Sequence, residues 1–287
     1  MIVVKIKSGL GNQMFQYALG RRLSLDWGED LKLDTAWFEN IKSNETSRKL
    51  EIDKFNIILN KATDEEIAQS MHGGFIRSIS KLIDRVRGRL DRNHFFRFYK
   101  GLLKKKKWLY LDGYFQNFCY FDTIRDVLLG DFTLKNGYST EAQKIKEGIE
   151  TAAQSVAIHI RRGDFVTTCK DWNGLCDINY YQRGLQEIKN KYSNIKLYFF
   201  SDDIEWAREN LKFSSPMVFV SRPTLNSVEE LLLMSLCKHQ VIANSTFSWW
   251  AAWLNQNGQK IVVAPVRWLL VADIDTSGLL PTDWIKI

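Results

Sequence analysis

Apolar, β-branched runs recur along the chain at Ile2–Ile6, Leu31–Leu33, Leu109–Leu111, Val156–Ile160, Lys196–Phe200, Val218–Val220, Gln240–Ala243 and Lys260–Ala264. Each reads as a short strand. Between several of them the apolar positions change to helical spacing. In Gln13–Leu25 one stripe carries Met14, Tyr17, Ala18, Arg21 and Leu25. Tyr180–Tyr192, Ile204–Leu211, Val228–Cys237 and Phe247–Asn255 follow the same rule. Strands that alternate with helices build parallel sheets covered on both faces, so the expectation is an α/β chain. Alternation is dense in the second half and looser in the first. The polar stretch between Phe132 and Gln154 separates the halves, giving domains 1–150 and 151–287. Two Rossmann-like lobes facing a central cleft are the simplest architecture, with ligands at the carboxyl ends of the strands.

Composition narrows the class. Of the 287 residues 45% are hydrophobic and 25% charged, with Gly 17 and Pro 4, which excludes collagen-like, low-complexity and disordered chains. Apolar runs such as Leu231–Met234 fall far short of the ~20 residues a spanning helix needs. Lys5 and Lys7 stand where a signal peptide would place its apolar core, so the chain reads as soluble and cytoplasmic. Cys119, Cys169, Cys176 and Cys237 match no zinc spacing, and the four histidines are scattered, so no metal centre is expected. A Cys169–Cys176 disulfide competes with the reduced state that suits a cytosolic enzyme.

The net charge of +7 is concentrated. Twelve basic residues between Arg77 and Lys107 face only Asp84 and Asp91, with Ile79, Leu82, Ile83, Val86 and Leu90 at helical intervals. This basic insertion reads as a solvated helix face with a loop, as a contact with anionic lipid, or as a nucleic-acid site.

Four segments carry chemistry. Ser8–Gln13 (SGLGNQ) joins a strand to a helix, where backbone N–H groups face a ligand; it is not a dinucleotide fingerprint, and Asn12 and Gln13 suit sugar hydroxyls. A tight capped turn is the plain alternative. Ile158–Phe165 (IHIRRGDF) delivers Arg161, Arg162, Gly163 and Asp164 at a strand tip. Guanidinium forks match phosphate there, and Asp164 either pairs with an arginine or accepts a proton. His159 on the same strand reads equally as a core residue. Leu197–Asp203 (LYFFSDD) ends in Asp202 and Asp203, which suit ribose hydroxyls or base N–H groups, unless Ser201 or Asp202 simply caps the next helix. Ser227–Trp253 places Asn244, Ser245, Thr246 and Phe247 between a strand and a helix start, an anion-receiving arrangement. Asn244–Thr246 is also a glycosylation sequon, without a secretory signal to give it meaning. Glu229 or Glu230 suits guanine N1–H and N2–H. Trp249, Trp250 and Trp253 read as core. The literal DxD at Asp273–Asp275 lies beyond the last strand evident in the sequence and is set aside.

Together GLGNQMFQYA, HIRRGDF, FFSDD and ANSTFSWWAAWL resemble the glycosyltransferase family 11 α-1,2-fucosyltransferases of bacterial type, in the family's order across residues 8–254. The resemblance implies a GT-B-like fold, GDP-fucose as donor, a β-galactoside acceptor, inversion at the fucose anomeric carbon and no metal. It further implies that Arg161 neutralises the diphosphate, Arg162 supports the loop, His159 faces the nucleotide, Glu230 reads guanine, and Ser245, Thr246 and Phe247 form the phosphate-side loop. Phe165 stands where many relatives carry Tyr. In that frame Asp164 is the candidate base, Asn12 and Gln13 lie on the acceptor side, and the basic insertion is a candidate membrane contact for a lipid-linked acceptor in surface polysaccharide (O-antigen) synthesis. The rivals are another metal-independent GDP-sugar transferase and a non-catalytic basic RNA- or membrane-binding protein. The second leaves the strand-tip residues unexplained, and nucleic acid is not expected as a partner.

Overall fold

In a computed structural model the described residues are 1–39, 48–73, 95–167, 174–270 and 275–287. Arg77–Arg92 of the basic insertion, Cys169 and Asp273 lie outside them. The chain divides into two units, Met1–Lys135 with Ile274–Pro281, and Asn136–Asp273 with Thr282–Ile287.

The first unit is built on β1 (Ile2–Lys5), α1 (Leu10–Trp27), β2 (Leu31–Asp34), α2 (Asp64–Gly73), β3 (Leu109–Leu111) and α3 (Arg125–Asp131). Its parallel sheet runs β2-β1-β3, in a register that sets Lys5 against Asp34 and Val4 against Leu111. The alternating apolar residues Ile2, Val4 and Ile6 are fully buried, as are Met14, Phe15, Tyr17 and Leu19 of α1. Gly20 lets α1 approach the sheet, because a Cβ there would stand 2.5 Å from Val4 Cγ2. The helix begins at Leu10, three residues before its apolar stripe suggests, and this places Asn12 and Gln13 inside its first turn. Of the basic insertion, Lys104–Lys107 leads into β3, and Lys105 Nζ donates to Trp27 O at 2.7 Å.

The second unit contains α4 (Thr140–Glu150), β4 (Gln154–Ile160), the single turn α5 (Gly163–Val166), α6 (Ile178–Lys189), β5 (Ile195–Ser201), α7 (Ile204–Asn210), β6 (Met217–Phe219), α8 (Ser227–Leu236), β7 (His239–Val241), α9 (Thr246–Leu254), β8 (Val262–Ala264) and β9 (Ile285–Lys286). All six strands are parallel, in order β6-β5-β4-β7-β8-β9. Two details depart from the sequence reading. Helix α4 belongs to this unit and not to the first, so the division falls at Asn136. Ser139 N donates to Glu229 Oε1 at 2.7 Å, Glu141 pairs with Arg222 at 2.8 Å, and Tyr198 donates to Gly148 O, fastening α4 beside α8 and β5. Strand β9 also escaped the sequence, because its two residues carry no alternation to read.

The core of this unit spans Val156, Ile158, Leu197, Phe199, Val241 and Val263, closed by Tyr180 and Tyr181 of α6. Tyr180 satisfies its hydroxyl by donating to Ile242 O at 2.6 Å. Trp249 and Trp250 are wholly buried, and Trp249 also meets Trp284 at 5.8 Å, so the tryptophan stripe is core. Among the described residues no helix is long and apolar enough to cross a membrane.

Candidate active site

The carboxyl ends of β4 and β5 are level, since Ile160 pairs with Ser201. The chain leaving β4 therefore meets the chain leaving β5, and five charged side chains interlock. Arg161 stands between two carboxylates, with Nη2 at 2.5 Å from Asp164 Oδ1 and Nη1 at 2.9 Å from Asp202 Oδ2. A guanidinium offers five N–H groups, so these two contacts leave three unspent among the described residues. The second oxygen of Asp202 accepts Arg162 N–H at 2.9 Å. Arg162 is turned away, its Nε at 3.1 Å from Asp203 Oδ2 and its plane 3.9 Å from the Trp206 ring. Gly163 is required here: a Cβ would fall on Asp202 Oδ2, the atom that holds Arg161.

Beside this pair, β7 delivers Ala243, Asn244 and Ser245 to the start of α9. Ser245 caps the helix, its Oγ accepting Phe247 N–H at 3.3 Å. Phe247 lies 5.6 Å from the His159 ring. His159 is 4% exposed, and its Nδ1 has no partner among the described residues. Burial, reinforced by Arg161, pushes its pKa down to about 3, so the imidazole is neutral with an unmet nitrogen at the strand tip. A helix N-terminus, a fixed guanidinium and an unmet buried imidazole converge on a place suited to an anionic group.

Glu230 stands further along the same edge, on the first turn of α8. Ser221 donates to its Oε2 at 2.8 Å and in turn accepts Ser201 N–H at 2.9 Å. Burial pushes the Glu230 carboxyl up to about 7, against the opposing pull of Ser221 and Arg222. Glu229 is settled differently. It forms a capping box with Asn226 and accepts Ser139 N–H, which removes it as a base-reading residue.

In the first unit the exits of β1 and β3 are tied by side chains. Asn12 donates to Ser8 Oγ at 3.0 Å and accepts from Gln116 at 2.8 Å. Gln13 is fully buried and spends its whole amide on the backbone, donating to Ser8 O and Lys49 O and accepting from Glu51 N and Ile52 N.

The Glycosyl transferase family 11 model matches residues 76–274. The chain is 32% identical to the O-antigen biosynthesis glycosyltransferase WbnK of Escherichia coli, over 98% of this chain and 99% of that one. It is 30% identical to an alpha-1,2-colitosyltransferase of Escherichia coli, over 100% and 99%. The chain belongs to glycosyl transferase family 11. A galactoside alpha-(1,2)-fucosyltransferase 2 of Pongo pygmaeus is 31% identical over 54% of this chain and 47% of its own length. Among solved structures, the fucosyltransferase NodZ from Bradyrhizobium superposes with a TM-score of 0.54 at 12% identity, covering 88% and 92% of the two chains, which gives the family 11 chain a GT-B-like fold.

The structure bears on four of the expectations for this family 11 chain. Gln13 is not open to an acceptor, because the helix starts early and turns it inward. Asn244 is 5% exposed and fastens two loops, donating to Trp268 O at 3.0 Å and Gly174 O at 3.5 Å. Asp202 contacts the arginine loop with both oxygens, one accepting Arg162 N–H and the other facing Arg161 Nη1, so it orients that loop. Asp164 is bound to Arg161 at hydrogen-bond distance, so it also serves as a second anchor of that side chain. The sequence reading missed Ser221, Lys7, Asp112 and Gln116. Only Asp112 had a signal, a charged residue directly after the apolar run Leu109–Leu111.

Proposed function

We propose that this family 11 glycosyltransferase moves L-fucose from GDP-fucose to the 2-hydroxyl of a terminal β-galactoside on an oligosaccharide, with inversion and without a metal ion. Surface polysaccharide of the O-antigen type is the proposed setting, in line with the WbnK relative. The observation that carries the reading is Arg161, held between Asp164 and Asp202 with three N–H groups left over, beside the start of α9.

Breaking the sugar–phosphate bond builds negative charge on the departing diphosphate and positive charge on the sugar ring. Arg161 is already oriented, so it takes up that charge without reorganising, the condition under which an electrostatic contact lowers a barrier most. The N–H groups at the start of α9 add their dipole from the other side. Neutral His159 faces the nucleotide through its unmet nitrogen. Glu230 accepts guanine N1–H and N2–H once ionised, with Ser221 fixing its rotamer. Asp164 and Asp202 hold the arginine in place.

A second donor is favoured by one finding, the colitosyltransferase matched along the whole chain. Colitose lacks the 3-hydroxyl of fucose. A site that hydrogen-bonds that hydroxyl rejects the deoxy sugar strongly, whereas an apolar one accepts both. GDP release from GDP-fucose and GDP-colitose, with and without lactose, in buffer containing EDTA, decides between them. The expected result is acceptor-dependent release from GDP-fucose that survives EDTA, with an α-1,2 linkage by NMR. Release from GDP-colitose alone would transfer the proposal to that donor, and transfer only with added metal would overturn the metal-independent reading.

A further inference from the structure

The Glu230 carboxylate is held by a residue that also closes the sheet beside it. Strand β6 pairs with β5, with Leu197 N–H donating to Pro216 O and Val220 N–H to Phe199 O, each at 2.8 Å. Parallel ladders space their bonds evenly, so the next donor, Ser201 N–H, is due at Val220 O. Here Val220 O accepts from Arg222 Nε at 2.9 Å as the chain leaves β6. Ser201 N–H meets Ser221 Oγ at 2.9 Å, so a side chain stands in for the ladder carbonyl.

That exchange fixes the polarity of the hydroxyl. A backbone N–H only donates, so Ser221 meets it with a lone pair and keeps its single hydrogen for another acceptor. The hydrogen goes to Glu230 Oε2 at 2.8 Å. Ser201 and Ser221 are 7% and 9% exposed, so water competes little for these contacts. The Arg222 backbone N–H supplies a second bond to the Glu230 carboxylate, and the Arg222 side chain is tied to Glu141 of α4 at 2.8 Å. Next to Ser201 in the chain stands Asp202, whose oxygens orient the arginine loop. Consecutive residues at one strand tip therefore reference both ends of a nucleoside diphosphate: the base through Ser221 and Glu230, the phosphates through Asp202 and Arg161.

We propose that Ser221 determines nucleobase specificity by positioning Glu230 so that one carboxylate spans guanine N1–H and N2–H together. The proposal rests on the guanine reading above and names the residue that enforces it. The terminal torsion of a glutamate is broad, so its two oxygens do not hold one plane unaided. Guanine presents two N–H groups side by side, and a carboxylate meets both only when its plane matches theirs. Hypoxanthine keeps N1–H and lacks the 2-amino group, so it needs one oxygen and tolerates a rotated carboxylate. Ser221 thus acts on the difference between the two bases, which is where a site built around a hydrogen bond gains its selectivity.

The test compares GDP and IDP Kd by calorimetry on the full chain, for wild type, Ser221→Ala, Ser221→Thr and Glu230→Gln. Wild type is expected to favour GDP by about tenfold or more, the scale of one hydrogen bond to a charged group. Ser221→Ala should bring that ratio to about threefold or less, chiefly by weakening GDP. Ser221→Thr keeps the hydroxyl and should hold the ratio within about twofold of wild type. A merely structural serine would weaken both nucleotides alike, and an unchanged ratio in Ser221→Ala would overturn the proposal. Should the alanine variant fail to fold, Ser221→Cys, close in shape and a weak donor, takes its place with the same lowered ratio expected. Glu230→Gln separates this proposal from the reading beneath it. A ratio near one in Glu230→Gln together with an unchanged ratio in Ser221→Ala means that Glu230 reads guanine without Ser221, and the proposal alone fails. Equal binding of GDP and IDP by wild type, or a ratio untouched by Glu230→Gln, overturns the guanine reading and the proposal with it.

Discussion

The two sheet edges follow one construction rule with different side chains. In both units parallel strands end level, and a short polar segment runs from a strand into a helix: Lys7–Gly9 after β1, and Arg161–Arg162 after β4. The β4 edge spends carboxylates on arginines, and the outcome is a guanidinium pinned from two sides with N–H groups to spare. At the β1 edge amides are spent on backbone and on each other, and a lysine pair is neutralised on Asp112. The same architecture thus carries an arginine–carboxylate edge in one unit and a lysine, carboxylate and amide edge in the other. Residue type at the strand exit, and not the fold, sets what each edge reads.

Changes at the β4 edge should do the most damage. Arg161→Ala is expected to lower kcat/KM for the GDP-sugar by about 10²–10³-fold, the scale of removing one preorganised charge-stabilising group. Arg161→Lys should recover only part, since an ammonium cannot satisfy Asp164, Asp202 and a phosphate from one plane. Steady-state GDP release reads both.

Gly163→Ala comes next. The added methyl meets Asp202 Oδ2, so Arg161 loses one of its two anchors. A loss of about tenfold in kcat/KM is expected, with an unchanged far-UV spectrum. The loss should not add to that of Asp202→Asn, because both act on one contact. Full additivity would break the link between Gly163 and Asp202.

Asp164→Asn sharpens the comparison by distinguishing two roles. A general base contributes about 10²–10⁴-fold, whereas an anchor of Arg161 should cost about tenfold and appear partly in donor KM. A loss of 10³-fold confined to kcat would return the base role to Asp164.

Glu230 gives a pH signature. Its carboxyl is raised by burial from its ordinary value to about 7, so the folded protein holds a proton that the unfolded chain has released. Stability from this group is complete below about pH 4.5 and is lost as pH rises to about 7. The melting temperature should therefore slope downward across that window, and Glu230→Gln should flatten the slope. GDP binding should run the opposite way, tightening as Glu230 ionises, because only the carboxylate accepts from both guanine N–H groups. A GDP affinity unaffected by pH between 5 and 8 would argue against base reading by Glu230.

The smallest effect on turnover belongs to Gln13. Its buried amide meets four backbone groups, and Gln13→Ala should cost about 2–4 kcal/mol of stability in the first unit while the folded fraction keeps its donor affinity.

Much of this was legible in the sequence, and the failures share a cause. Apolar runs located β1, β4 and β5, because each is buried on both faces. Strand-tip position marked Arg161, since a charged side chain at the end of an apolar strand has few structural uses. Glu230, on the first turn of α8, was reached through the chemistry of guanine and the family resemblance. Direction was not legible. Gln13, Asn244, Asp202 and Asp164 are polar groups at the right edge whose hydrogen bonds turn back into the protein, and only coordinates reveal where a donor points. Asp112 and Gln116 lie some 100 residues from Lys7 and Asn12, so their pairing exists only once β1 and β3 are laid side by side.

The most direct test of the division between edges is calorimetric titration of GDP, in buffer containing EDTA, into wild type, Arg161→Ala and Asp112→Asn. The account predicts tight binding to wild type, at least about tenfold weaker binding to Arg161→Ala, and wild-type affinity in Asp112→Asn. GDP bound equally well by Arg161→Ala, or lost in Asp112→Asn, would contradict it.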